Sequence, residues 1–230
     1  MTGEDGSVES SDGRRGAAGK PLSAAGFARA AGVSRETLRR LESYVALLDK
    51  WNRRINLVSR AGMADVWRRH ILDSAQILRY LPRRCRRLVD LGSGAGFPGL
   101  VLAILGVHGV ELIESDGRKC TFLAEAARAS GASVVIHNRR LEDLAPSPAD
   151  VITARACAPL AKLLQYAQPF WAPHTRLIAL KGAHIDKELT DATKCWIMDV
   201  ERYASLTDPK AAVLCIRHLH YDKNISRDGS

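Results

Sequence analysis

The run Arg87-Leu-Val-Asp-Leu-Gly-Ser-Gly-Ala-Gly-Phe-Pro-Gly99 sets four glycines into the eight residues from Gly92 to Gly99, directly behind an apolar stretch. A strand that closes on Asp90 and Leu91 and breaks into Gly92, Gly94 and Gly96 describes a tight loop whose backbone takes positive φ and comes close to a ligand. The apolar residues that follow predict a helix over Pro98 to Leu105, which points amide N–H groups back at the loop. Strand, glycine loop and helix in that order belong to an open α/β sheet, whose ligands sit in the crevice beyond the carboxyl ends of its strands. A mononucleotide-like ligand is expected there, because a loop that merely turned the chain would not need glycine at this density.

The residues after Arg87 repeat the alternation. Leu88–Leu91, Val110–Glu114, Val134–His137, Val151–Ala154, Arg176–Lys181 and Ala212–Arg217 read as strands, with Val200–Leu206 a weaker one. Helical patterns fall between them at Asp116–Ser130, closed by Gly131, and at Pro159–Gln168 and Ile185–Trp196. This alternation predicts a mostly parallel, doubly wound α/β sheet over residues 87–221, with 222–230 as a tail.

The first part of the chain reads differently. Residues 1–22 are rich in Gly, Ser and charge and are expected to be disordered. A short helix is predicted over Ala24 to Ala31. Ser34 then stands as N-cap to a longer one with Leu38, Leu41, Val45, Leu48 and Ile55 on one side and Arg39, Arg40, Lys50, Arg53 and Arg54 on the other. A third helix is predicted from Asp65 as N-cap to Pro82. Residues 23–86 thus form a basic helical appendage.

The charge lies almost wholly in that segment. The chain's net charge is +9, and Arg35–Arg87 holds fourteen Lys and Arg against five Asp and Glu, while the flanking parts balance. Thirteen of the fourteen are arginines, whose planar fork suits phosphate and base contacts. The expected partner is nucleic acid, with Arg39, Arg53, Arg54, Arg68, Arg69 and His70 as candidate RNA contacts. Five scattered cysteines without a C-x-x-C pair and seven histidines without a ligand spacing predict neither disulfides nor a metal. No apolar run approaches the ~18 residues of a membrane helix, and no apolar core follows Met1, so a cytoplasmic monomer without membrane contact is expected.

Two ligands satisfy the glycines. Gly94-x-Gly96-x-x-Gly99 fits the dinucleotide fingerprint, and Glu114 follows where a ribose-binding acid belongs. An NAD(P)-dependent oxidoreductase is therefore one reading, although no hydride-transfer constellation accompanies it. Asp90 before the D-x-G-x-G-x-G run and Arg140-Leu-Glu-Asp143 after the third strand instead look like the S-adenosylmethionine (SAM) site of class I methyltransferases. On that reading Asp90, Gly92, Gly94, Gly96, Glu114 and Ser115 surround the cofactor. A non-catalytic RNA-binding protein is a third reading.

Seven segments carry a family resemblance: Trp51-Asn-Arg-Arg-Ile-Asn-Leu57, Arg69-His-Ile-Leu-Asp-Ser74, Asp90 to Gly99, Glu114-Ser115, Arg140-Leu-Glu142, Ala154-Arg-Ala156 and Leu180-Lys-Gly182. In this order, from about Tyr44 to Gly182, they resemble the RsmG family (glucose-inhibited division protein B), the bacterial ribosomal small-subunit methyltransferases G. The resemblance implies a class I SAM-dependent methyltransferase fold. It also implies N7-methylation of one guanine, the family's guanine 527, in the 530 loop of 16S rRNA or of the small ribosomal subunit. It further implies SAM contacts at Gly92, Phe97, Glu114, Leu141, Glu142 and Arg155. Arg155 and Lys181, which follow the fourth and fifth strands, are expected to position the reactants. Attack by N7, which already exposes a lone pair, needs no general base, so no catalytic dyad is expected. Cys157 is read as a packing residue.

Overall fold

The glycine loop sits at the centre of a seven-stranded sheet in a computed structural model that describes residues 21–222. Strands β1 (Leu88–Leu91), β2 (Val110–Glu114), β3 (Val134–Asn138), β4 (Val151–Arg155) and β5 (Arg176–Lys181) run parallel. β6 (Trp196–Ala204) and β7 (Ala212–Tyr221) close one edge as an antiparallel pair, in the order β3-β2-β1-β4-β5-β7-β6. The order reverses between β1 and β4, and a crevice opens at that point beyond the strand ends. β1, and β4 as far as Ala154, are buried on both faces, as central parallel strands must be, and their two polar residues Asp90 and Thr153 hydrogen-bond to each other inside the sheet.

One layer holds α1 (Ala24–Ala31), α2 (Arg35–Asn52), α3 (Arg60–Ala64), α4 (Asp73–Ala75), α5 (Gly99–Ile104) and α6 (Gly117–Ser130); α7 (Leu160–Ala167) and α8 (Ile185–Ala192) cover the opposite face. α2 starts where expected: Ser34 Oγ accepts the Thr37 amide at 3.1 Å. Its residues Leu41, Tyr44 and Leu48 are fully buried, in one cluster with Leu100, Leu102 and Phe122. The N-terminal helices therefore share the core of the sheet. Arg40, on the polar side of α2, donates to the Ser130 and Gly131 carbonyls at 2.6 and 2.9 Å and so satisfies the end of α6.

Three local expectations are corrected. Asp65 does not cap a helix start; it ends α3, and its carboxylate accepts the Leu22 amide at 2.8 Å and Arg68 Nε at 3.1 Å. The stretch after it is not one α-helix but a π-helical turn, Trp67–Leu72, then α4 and a 3₁₀ turn, Gln76–Tyr80. α8 stops at Ala192 rather than Trp196. Trp196 begins β6, the strand expected only weakly and four residues later, because its ring is buried in the sheet's second core. The expected disorder of residues 1–22 lies outside the described residues up to residue 20, as does the tail from 223 onward. Among the described residues no helix is long and apolar enough to cross a membrane.

Candidate active site

A cleft of about 1750 Å³ lies over the carboxyl ends of β1, β2, β4 and β5. Its volume exceeds the ~300–1,000 Å³ typical of a single small-molecule site. Gly92 and Gly94 line it with φ of 66° and 56°, and a Cβ at Gly92 would lie 2.7 Å from Cys157 Sγ. Substitution there strains the backbone and displaces the thiol, whose pKa burial pushes up. That environment fits Cys157 as a packing residue.

Glu114 closes the loop. Its Oε2 accepts the Gly94 amide at 2.9 Å and its Oε1 the Asp116 amide at 2.8 Å, which fixes the carboxylate at the end of β2 with lone pairs to spare for hydroxyl donors. Ser115, Leu141 and Glu142 complete this wall.

Asp90 and Gly96 are not where the sequence reading put them. Asp90 is fully buried beneath the loop and does not line the cleft. Its Oδ1 accepts from Thr153 Oγ1 at 2.7 Å, and its Oδ2, pressed against Gly99 at the start of α5, has no well-formed hydrogen bond. Burial raises its pKa to about 6, against the opposing hydrogen bonds of Ser93 and Thr153. A carboxylate thus already occupies the helix start to which a dinucleotide fold would bind pyrophosphate. A second carboxylate holds the Gly94 amide. The site fits a ligand with ribose hydroxyls and no pyrophosphate. Gly96 faces the interior: its Cβ would lie 2.8 Å from Leu100 Cβ, so glycine serves packing there.

Across the cleft Arg155 is held from several sides. Its Nη1 donates to the Arg69 carbonyl at 3.0 Å and to His70 Nδ1 at 2.7 Å, and lies 3.5 Å from Asp73 Oδ2. The guanidinium sits 4.6 Å from the centroid of the Phe97 ring, which in turn stacks on His70 at 4.8 Å. Burial, with the Arg155 charge adding to it, lowers the His70 pKa to about 3, so the ring is neutral. His70 was expected to contact RNA. Its ring instead packs between Phe97 and Gly62 as part of the wall, with Nε2 buried and unpartnered.

Lys181, 7% exposed, is no surface lysine. Its Nζ donates to the Ala158 carbonyl at 2.7 Å and to Glu188 Oε2 at 2.6 Å, and the same oxygen accepts the Leu160 amide at 2.8 Å. The pair clamps the segment after β4, where Ala156 takes φ of 49°.

Of the candidate RNA contacts, Arg68 and Arg69 line the cleft with His70. Arg39 and Arg54 are exposed away from it. Arg53 lines a separate groove and pairs with Asp49 at 2.6 Å. The sequence reading missed Lys119, Arg139 and Arg140 as cationic cleft residues, and Asp73, Ser205, Thr207 and Asp208 as its opposite wall. Arg139 and Arg140 follow β3 directly and Lys119 lies in the first turn of α6 after β2, positions at the carboxyl ends of the strands where such sheets bind ligands. Ser205, Thr207 and Asp208 lie on the β6–β7 turn, and Asp73 in α4 meets them only through the tertiary fold.

A family model described as rRNA small subunit methyltransferase G matches residues 37–219. The chain is 56% identical over 194 residues to the ribosomal RNA small subunit methyltransferase G of Rhodospirillum rubrum, covering 84% of this chain and 96% of that protein. It is 55% identical over 188 residues to the protein of the same name from Rhodospirillum centenum, covering 82% and 87%. Among solved structures, it is similar to a magnesium protoporphyrin IX methyltransferase from Synechocystis PCC 6803 with bound SAM, at a TM-score of 0.52, 16% identity and coverage of 80% of this chain and 98% of that one. A ribosomal protein L11 methylase from Lactobacillus delbrueckii subsp. bulgaricus superposes at a TM-score of 0.51 and 16% identity, over 63% and 77% of the two chains. These two likenesses bear on the fold alone, which is that of class I SAM-dependent methyltransferases. Sequence, sheet order and a cleft walled by Gly92, Gly94 and Glu114 agree, and the chain belongs to the rRNA small subunit methyltransferase G family.

Proposed function

We propose that this chain transfers a methyl group from SAM to N7 of a single guanine in the 530 loop of 16S rRNA. The observation that carries the reading is Glu114, set at the cleft wall by two backbone amides beside the open faces of Gly92 and Gly94. Together with Phe97, Ser115, Leu141 and Glu142 these residues would hold the cofactor, with the Glu114 carboxylate accepting from the ribose hydroxyls. Bound there, SAM supplies a methyl activated by its sulfonium.

The chain's own groups do the placing. Purine N7 carries a lone pair and no proton, so the site needs no base, and the neutral His70 and clamped Lys181 are not arranged as one. Arg155, fixed by Asp73, His70 and Phe97, gives the second half of the cleft a rigid wall that orients the base. Lys181, its charge balanced by Glu188, holds the Ala156–Pro159 segment at the same face. Arg68, Arg69, Lys119, Arg139 and Arg140 line the cleft and would meet phosphates, with Arg39, Arg53 and Arg54 as outlying contacts along residues 23–86. A splayed-out guanine would reach the cleft that the phosphates flank.

The test is transfer of labelled methyl from SAM to small ribosomal subunits purified from cells lacking this protein, mapped by strand cleavage at N7-methylguanine. One strong cleavage in the 530 loop is the expected result. Binding of adenosylhomocysteine without label in the RNA overturns the substrate.

A further inference from the structure

Six carboxylates line the cleft, and the structure accounts for five of them. Asp65 is taken by the Leu22 amide and Arg68, and Asp73 by Thr207, Gln76 and Arg155. Glu114 holds two loop amides, and Glu188 neutralises Lys181. Glu142 lies beside Leu141 in the wall assigned to the cofactor, across the cleft from the β6–β7 turn. The sixth, Asp208, is exposed on the β6–β7 turn and accepts the Lys210 amide through Oδ1 at 2.9 Å; among the described residues no other donor reaches it.

We propose that Asp208 is the specificity-determining residue that reads the target base, accepting from N1–H and the N2 amine of guanine. This rests on the reading of the chain as a guanine-N7 methyltransferase and deepens it. Guanine alone among the four bases presents two adjacent donors on its Watson–Crick edge, and a carboxylate matches them in pairs. That edge lies on the side of the purine away from N7, so a base with N7 turned to the cofactor points its donors at the far wall.

The sheet order puts Asp208 there. Lys181 at the carboxyl end of β5 pairs with Ala212 at the start of β7, so the turn before Ala212 flanks the same cleft. The glycine loop and Glu114 follow β1 and β2 on the other side of β4. From β4 to β7 is two strand spacings, about 10 Å, which is room for one purine with a hydrogen bond at each end. The turn is also held in place: Gln76 Oε1 accepts the Leu206 amide at 2.9 Å, and Asp73 Oδ1 accepts Thr207 Oγ1 at 2.7 Å.

The experiment compares unmodified protein and Asp208→Asn on small subunits reconstituted with guanosine or inosine at the target position. Inosine keeps N7 and N1–H and lacks the N2 amine. The unmodified protein should prefer guanosine by about tenfold to a hundredfold in kcat/KM, the range of one paired base contact. Asp208→Asn should lose about that factor on guanosine and discriminate little between the two, with unchanged adenosylhomocysteine affinity and thermal midpoint. Asp208→Ser, which keeps an acceptor for the Lys210 amide, should behave alike. An equal loss on both RNAs marks a turn defect and overturns the proposal, as does a variant that keeps the guanosine preference. If the unmodified protein labels neither RNA, the methyltransferase reading fails first and takes this inference with it.

Discussion

Thr207 and Asp73, 134 positions apart, share a hydrogen bond of 2.7 Å that joins the β6–β7 turn to the segment carrying Arg68 to His70. Gln76 doubles the link by donating to Asp73 at 2.8 Å and to Ser205 at 3.2 Å while accepting the Leu206 amide. Gln76→Leu leaves those partners unmatched in a buried setting and should cost about 1–3 kcal/mol in urea unfolding. Because the turn lines the cleft, on the proposed function KM for the RNA should rise while calorimetry finds adenosylhomocysteine affinity unchanged.

Glu114→Ala removes the acceptor that organises the Gly94 and Asp116 amides and, on the proposed function, the one that meets the ribose hydroxyls. Adenosylhomocysteine affinity should fall by about tenfold or more, the weight of a charge-assisted hydrogen bond at ~1.5–3 kcal/mol. Isothermal titration reads this directly, and an affinity within twofold of the unmodified protein counts against the assigned cofactor site.

Lys181→Met leaves the half-buried Glu188 without its cation while the Leu160 amide still donates to it, and should cost about 1–3 kcal/mol. Lys181→Met with Glu188→Gln should recover much of that stability without recovering methyl transfer. Thermal melts and transfer assays on the two variants separate the clamp from the chemistry.

Acid should expose two opposing groups. The folded His70 takes its proton only near pH 3 against an ordinary value of 6.5, so the unfolded chain binds more protons between those values and stability falls as pH drops through that window. From pH 7 to 5 the loss is about 2 kcal/mol. Asp90, raised to about 6 from 3.8, works the other way: the folded state binds its proton first, and stability rises as pH falls from 6 toward 4. In His70→Gln only the Asp90 effect remains, so the variant's stability relative to the unmodified protein should improve by about 2 kcal/mol between pH 7 and 5. Urea midpoints at the two pH values measure it.

Salt dependence checks the cationic rim. If Arg139 and Arg140 meet phosphates, replacing both with serine should lower the slope of log affinity against log salt by about 2. RNA binding by filter retention from low to moderate salt would show it, and an unchanged slope removes these residues from the interface.

The sheet and its ligand loop were legible in the linear chain because each depends on local chemistry. Runs such as Val151–Ala154, apolar but for Thr153, read as strands buried on both faces, Gly92 and Gly94 must turn with positive φ, and Ser34 and Gly131 cap the helices they adjoin. What escaped was set by contacts between distant segments. Val66 to Leu81 has the spacing of one helix, yet packing and the Asp65 bonds break it into α, π and 3₁₀ turns. Asp90 and Gly96 belong to the motif but turn away from the ligand, because a helix start and a packed core claim them first. His70, expected as an RNA contact, and Lys181, expected to position the reactants, are instead tied up by Arg155 and Glu188, 85 and 7 positions away. Hydrogen-bond partners across a fold leave no periodicity behind, so while Glu114, Glu142 and Arg155 were legible beside the strand ends, Asp208 was brought to the cleft only when β6 and β7 folded back beside β5.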